Sequence, residues 1–389
     1  MAEFYNIDPS GDVTIILRDA DAPFAEAPAL FGQPPDKPRT GPKKKKKKII
    51  RKPANPPVIE AGLATVAEDA ASVDGSKEPG IDLPLPEPPV IRLRVSSRHL
   101  IVASCYFRTA LSGRWKETAS TAEDGSLCIE AHGWDPQALK ILMLVIHGCN
   151  RQVPRLLSLE LLAKIAVLVD YYKCAEAVEV FAELWLRALK GTGQAPITEV
   201  VNRDLVLWLF VSWIFGDDDV FTAVARTALW QTQEPLPTLG LPIPDTVIAT
   251  IDRKRLELID GIITGLHELL ATFRDGPESC SFECSSMLLG ALTKEMRAKG
   301  LDPKPGPLPS SSSVVATIDV VRSIHSPQWI SVGEYVWNTD EIGLIPHSCC
   351  LQTLIQSKVL DGLDERMGGL TLDEFGGRRS LWHPRVLWG

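Results

Sequence analysis

The sequence predicts an α+β fold, a small sheet flanked by helices, followed by a mostly α-helical C-terminal region. Three observations carry this. Two β-branched runs, at residues 13–17 and 91–95, have strand composition. From Asp135 onward, apolar residues recur at helical spacing between capping residues and glycines. A chain of 389 residues also has room for two domains and an unfolded segment.

The first strand follows a turn signal, Pro9-Ser10-Gly11, and runs through Val13, Ile15 and Leu17. Its hairpin partner is expected to be Ile91 to Val95. Between them, residues 21–89 are rich in Pro, Ala, Gly, Lys and acids without an apolar period, so they bury too little surface to fold. An insertion of that length in a hairpin is tolerable because closure entropy grows only as the logarithm of loop length. A single helix is expected from Ser96-Ser97 to near Phe107, then an amphipathic piece around Trp115 and a strand at 127–131. Asp135-Pro136 opens a helix that Gly148 stops, and its six-residue apolar run from Ile141 to Ile146 predicts burial on most sides. Ser158 caps a helix with Ile165, Leu168, Val169 and Tyr172 on one face. The next places Val178, Phe181, Ala182, Trp185 and Leu189 together. These elements bound a module at residues 12–190, interrupted at about 21–89.

Past a linker at 191–196, a helical region is expected over 197–372. Helices are predicted at 202–215, stopped by Gly216, and at 220–229 behind Asp217-Asp218-Asp219. A proline-rich hinge at 235–244 leads to a long helix over 245–274, and another covers 282–299. Residues 373–389 read as a loose tail. The longest near-apolar run, 205–215, falls well short of a bilayer of about 30 Å at about 1.5 Å per residue, so it is expected to be a core helix. With no signal-like opening, the chain is expected to be soluble, nuclear and/or cytoplasmic, with no membrane partner.

Several stretches carry a family resemblance. Val95-Ser96-Ser97-Arg98-His99-Leu100, with Ala103-Ser104, Phe107 and Leu111-Ser112-Gly113-Arg114-Trp115-Lys116-Glu117, resembles the first helix pair of BTB/POZ domains in the variant that fungal proteins carry. Residues 159–174 resemble the later helix pair. The C-terminal region, with Cys280-Ser281-Phe282-Glu283-Cys284, resembles the long tail of many such proteins. The resemblance implies a non-enzymatic protein-interaction or adaptor protein that binds protein partners through this module. It also implies a homodimer built on the first helix and strand, near Ser97 to Tyr106. Two alternatives stand beside it: a cullin-3-type ubiquitin ligase substrate adaptor or transcription-associated scaffold, and an unrecognised enzyme in the C-terminal helices. The pattern departs from the family in places. Arg98 precedes His99 where many members have His first, and residues 148–154 lack the Glu of cullin adaptors. No kelch, zinc-finger or ankyrin period follows.

No nucleophile elbow, Walker loop or dinucleotide glycine fingerprint occurs in the sequence, and no catalytic residue is assigned. His99 is read as a half-buried structural histidine. Cys105, Cys128, Cys149 and Cys174 sit singly in apolar patterns as small hydrophobes. Cys280, Cys284, His347 and Cys349 supply three thiolates and an imidazole, the set that closes a tetrahedral zinc site. The other reading makes them small apolar residues packed under the long helix. Finally, ten basic residues and one acid between Asp36 and Lys52 carry a local +9, which leaves −17 on the rest of the −8 chain. A specific nucleic-acid ligand is therefore not expected. The six lysines from Lys43 to Lys48 have three readings, an import-receptor signal, a polyanion contact or a solvated spacer, and import is favoured.

Overall fold

Alternation builds the sheet. In the computed structural model, which describes residues 3–20, 22–26, 90–112, 120–121, 126–192, 199–276, 280–304, 312–332, 344–366 and 370–375, strand β1 (Glu3–Asn6) is followed by β2 (Val13–Arg18) and β3 (Ile91–Val95). Val13, Ile15 and Leu17 are wholly buried, as are Leu93 and Val95. Antiparallel pairing of β2 with β3 sets Ile15 opposite Leu93, so the apolar sides of both strands share one face. Two further strands, β4 (Ser120–Thr121) and β5 (Leu127–His132), complete a sheet of order β1-β3-β2-β5-β4. β5 lies parallel to β2 and β1 parallel to β3. β1 and β4 are additions to the expected sheet. Gly11 permits the tight entry into β2: a Cβ there would lie 2.5 Å from the Val95 carbonyl oxygen.

The expected first helix is two helices, α1 (Ser97–Ala103) and α2 (Cys105–Leu111). Ser104 separates them with an extended backbone (φ −146°, ψ 124°); its hydroxyl accepts from the Phe107 amide and donates to the Tyr172 carbonyl oxygen. Satisfied on both sides, it makes a cap where apolar periodicity alone reads continuous helix. α3 (Pro136–Ile146), α4 (Leu159–Tyr172) and α5 (Ala175–Thr192) follow, the first two capped by Asp135 and Ser158 as expected. The five positions expected on one face of α5 are all buried, and the Trp185 indole N–H donates to the Pro154 carbonyl at 2.8 Å.

In the C-terminal region, α6 (Arg203–Phe215) runs from an Asn202 cap to Gly216, whose left-handed φ of 70° ends it. Every residue from Leu205 to Phe215 is buried, which a stripe pattern never shows and a central helix does. α6 packs on α4, and Arg203 ties the two: Nη2 lies 3.0 Å from Glu160, and the guanidinium donates to the carbonyls of Phe24 and Ala25. Residues on both sides of the 191–196 linker thus share one apolar core. α7 (Asp218–Gln231), α8 (Asp245–Asp275), α9 (Phe282–Ala298) and α10 (Val314–Arg322) lead to a short hairpin, β6 (Ile330–Val332) with β7 (Leu344–Pro346). The chain closes on α11 (Leu351–Ile355), which continues as a π-helical turn, Gln356–Leu360, then α12 (Leu363–Arg366) and a 3-10 turn, Leu372–Phe375. No helix among the described residues is long and apolar enough to cross a membrane.

Other expectations shift. Within the stretch 21–89, residues 22–26 are ordered against the core: Ala25 is buried and Phe24 packs on it. In the expected tail, Phe375 meets Phe221 edge to face at 5.6 Å. His99 is exposed, not half-buried, and Cys105 is exposed too. Trp115, the lysines 43–48 and residues 376–389 lie outside the described residues.

Candidate functional site

The N-terminus of α9 is where the C-terminal thiols gather. Ser281 caps it, its hydroxyl accepting from the Cys284 amide at 3.2 Å. Cys280 therefore stands just before the helix and Cys284 in its first turn, four residues apart on one corner. The partially positive helix end beside them favours thiolates. Leu288, Leu292 and Met296, all wholly buried, hold α9 down by its apolar side.

The other two residues arrive from the β6–β7 hairpin. The His347 amide donates to the Trp329 carbonyl at 3.0 Å, and the two rings stack with centroids 4.2 Å apart. This turns His347 Nε2 toward both thiols, 3.1 Å from Cys280 Sγ and 3.2 Å from Cys284 Sγ. Cys349 Sγ lies 3.7 Å from Cys280 Sγ. All four donor atoms fall within 4.8 Å of one another. Cys350, next in sequence, faces away and meets Gln352 Oε1 at 2.8 Å. Burial, then hydrogen bonding with the Cys280 and Cys349 thiols, pushes the Cys284 thiol up to about 12. Three thiolates this close repel without a cation among them.

Thus the structure brings together all four residues singled out in the sequence, with Cys284 buried and Cys280 exposed. Sequence reasoning missed Trp329, which orients the imidazole; nothing in its local pattern marks it. The Ser281 cap was readable, since Ser three residues before an amide to be capped is a helix-start signal.

A second region concerns the surface. α1 buries Leu100, packs Ala103 against the core and leaves Val102 80% exposed. It is also pinned by Asp12, whose carboxylate accepts from the Ser97 amide and hydroxyl at 2.8 and 2.6 Å. β1 is an edge strand with Phe4 58% exposed. Behind α1, His147 Nε2 accepts from the Ser96 amide at 2.9 Å, and its Nδ1 lies 2.8 Å from the Met143 carbonyl. These partners assign the proton to Nδ1 of a neutral ring. Burial first, with the His99 ring 4.9 Å away adding to it, lowers its pKa below 6.5.

No protein-family model and no curated protein matches this sequence.

Proposed function

We propose that this chain is a non-enzymatic interaction protein whose sheet-bearing module works as a BTB/POZ-type surface for protein partners and for a second copy of itself. The observation that supports this most is α1, a helix fixed by hydrogen bonds at its start that leaves Arg98, His99 and Val102 exposed. A helix kept for packing alone buries a stripe; this one buries a single leucine. β1 adds an edge whose outer side can accept another strand.

The test is affinity capture with the full chain against a Phe4→Glu/Val102→Glu variant. Both positions are exposed, so the fold and its melting are expected to persist. Loss of partners and of the second copy in the variant is the expected result. Identical partner lists, with a monomer mass for both proteins by light scattering at tens of micromolar, contradict the proposal.

The acidic remainder of the chain offers no rival to its six-lysine run, so recognition by an import receptor, and nuclear residence, belong to the same proposal. Exchanging Lys43 through Lys48 for glutamine is expected to lower the nuclear fraction of the tagged protein without changing its melting. An unchanged nuclear fraction leaves the run a spacer.

A further inference from the structure

We infer that Cys280, Cys284, His347 and Cys349 form a structural zinc site that clasps the start of α9 to the strand end leading into α11. The chemistry of the donors selects the ion. Three thiolates and one imidazole are soft to borderline ligands, which suit zinc and disfavour calcium and magnesium. The dimensions agree: sulfurs bound at 2.3 Å to one tetrahedral ion sit about 3.8 Å apart, and Cys280 and Cys349 stand at 3.7 Å. The pair furthest apart, within 4.8 Å, closes by about 1 Å onto such a centre. Four protein ligands fill the tetrahedron and leave no open position, which is the mark of a structural centre.

On binding, the three thiols release their protons to solvent and His347 coordinates through the Nε2 lone pair as a neutral ring. The site then carries a net −1, placed at the positive end of α9. The contacts that would hold the ligands in place are already present. Trp329 stacks on the imidazole and fixes its backbone, and Ser281 holds the Cys284 amide. The clasp joins residues 67 apart in the chain, Cys280 and His347, across a stretch that includes α9, α10 and the β6–β7 hairpin. Cys350 is left out of it by its bond to Gln352.

Elemental analysis of the full-length protein, purified under reducing conditions without chelator, tests the site. The expected content is about one zinc per chain. Cys349→Ser and His347→Ala are expected to lower it severalfold, and Cys350→Ser to leave it unchanged. Because a ligand variant can misfold, the wild-type chain is also stripped and reloaded with cobalt(II). Intense d–d absorption with thiolate charge-transfer bands is expected from a tetrahedral thiolate site. Metal-free protein, stoichiometric iron or copper in place of zinc, a Cys280–Cys349 disulfide in the fresh protein, or the weak absorption of octahedral cobalt each overturns the inference. So does loss of metal in Cys350→Ser with retention in Cys349→Ser.

Discussion

The sheet-bearing half of the chain and the described segments beyond α8 share one apolar core but differ in their polar contacts. From β2 to α5, elements pack through buried aliphatic and aromatic side chains, and Asp135 and Ser158 cap helix ends. Beyond α8, Leu288, Leu292, Val314, Val321, Leu351 and Val359 are buried in the same core, and the segments are fixed at polar points as well. Arg255, 1% exposed on α8, reaches Asp252 Oδ1 at 2.8 Å and the Ser312 carbonyl ahead of α10. Asp218 accepts from the Leu372 amide at 2.7 Å, and Thr222 donates to the Leu370 carbonyl. The Cys/His cluster is another such point. Apolar packing spreads its stabilisation over many contacts, whereas a point attachment can be lost by one substitution.

Three measurements sharpen that contrast, from the largest effect to the smallest. Arg255→Ala strands the Asp252 carboxylate and the Ser312 carbonyl and opens a cavity, so a loss of about 3 kcal/mol is expected in urea melts. A loss under about 1 kcal/mol would show that the attachment is decorative. Gly11→Ala probes the packed half, since its Cβ meets Val95 backbone that cannot yield; about 2 kcal/mol is expected there. A neutral outcome would mean that the turn relaxes freely.

The smallest effect is one of pH. His147 is held neutral in the fold with a pKa lowered by burial, so below about pH 6.5 the unfolded chain binds a proton that the native chain resists. Its stabilisation is complete above that pH and is lost as pH falls toward the depressed native value. His99 and Asp8 are the charged or titratable neighbours that modulate it. Wild type is expected to lose more stability between pH 7.5 and 5.5 than His147→Gln. Equal losses would assign the pH response to other groups.

Much of the packed half was legible because its signals are local. The β-branched run from Val13 to Leu17, behind a turn signal, announces a strand. Asp135, Ser158 and Asp217 announce helix starts that the structure places at the same caps. The break at Ser104 was not legible, since the carbonyl that holds it belongs to Tyr172, 68 residues on. Nor was β1, four residues of mixed polarity that become a strand only by pairing with β3. The candidate site was half legible. Residue type picked out its four members, but their proximity depends on how α9 and the hairpin pack, and Trp329 entered only with the fold.

Hydrogen exchange on the full-length protein, with and without a zinc chelator, tests most directly whether the C-terminal segments are held at points. Faster exchange is expected first at the start of α9, near Cys284, and around residues 347–351, while β2, β3 and β5 keep their protection. Unchanged exchange at both segments, or an equal rise across the sheet, would contradict a local clasp.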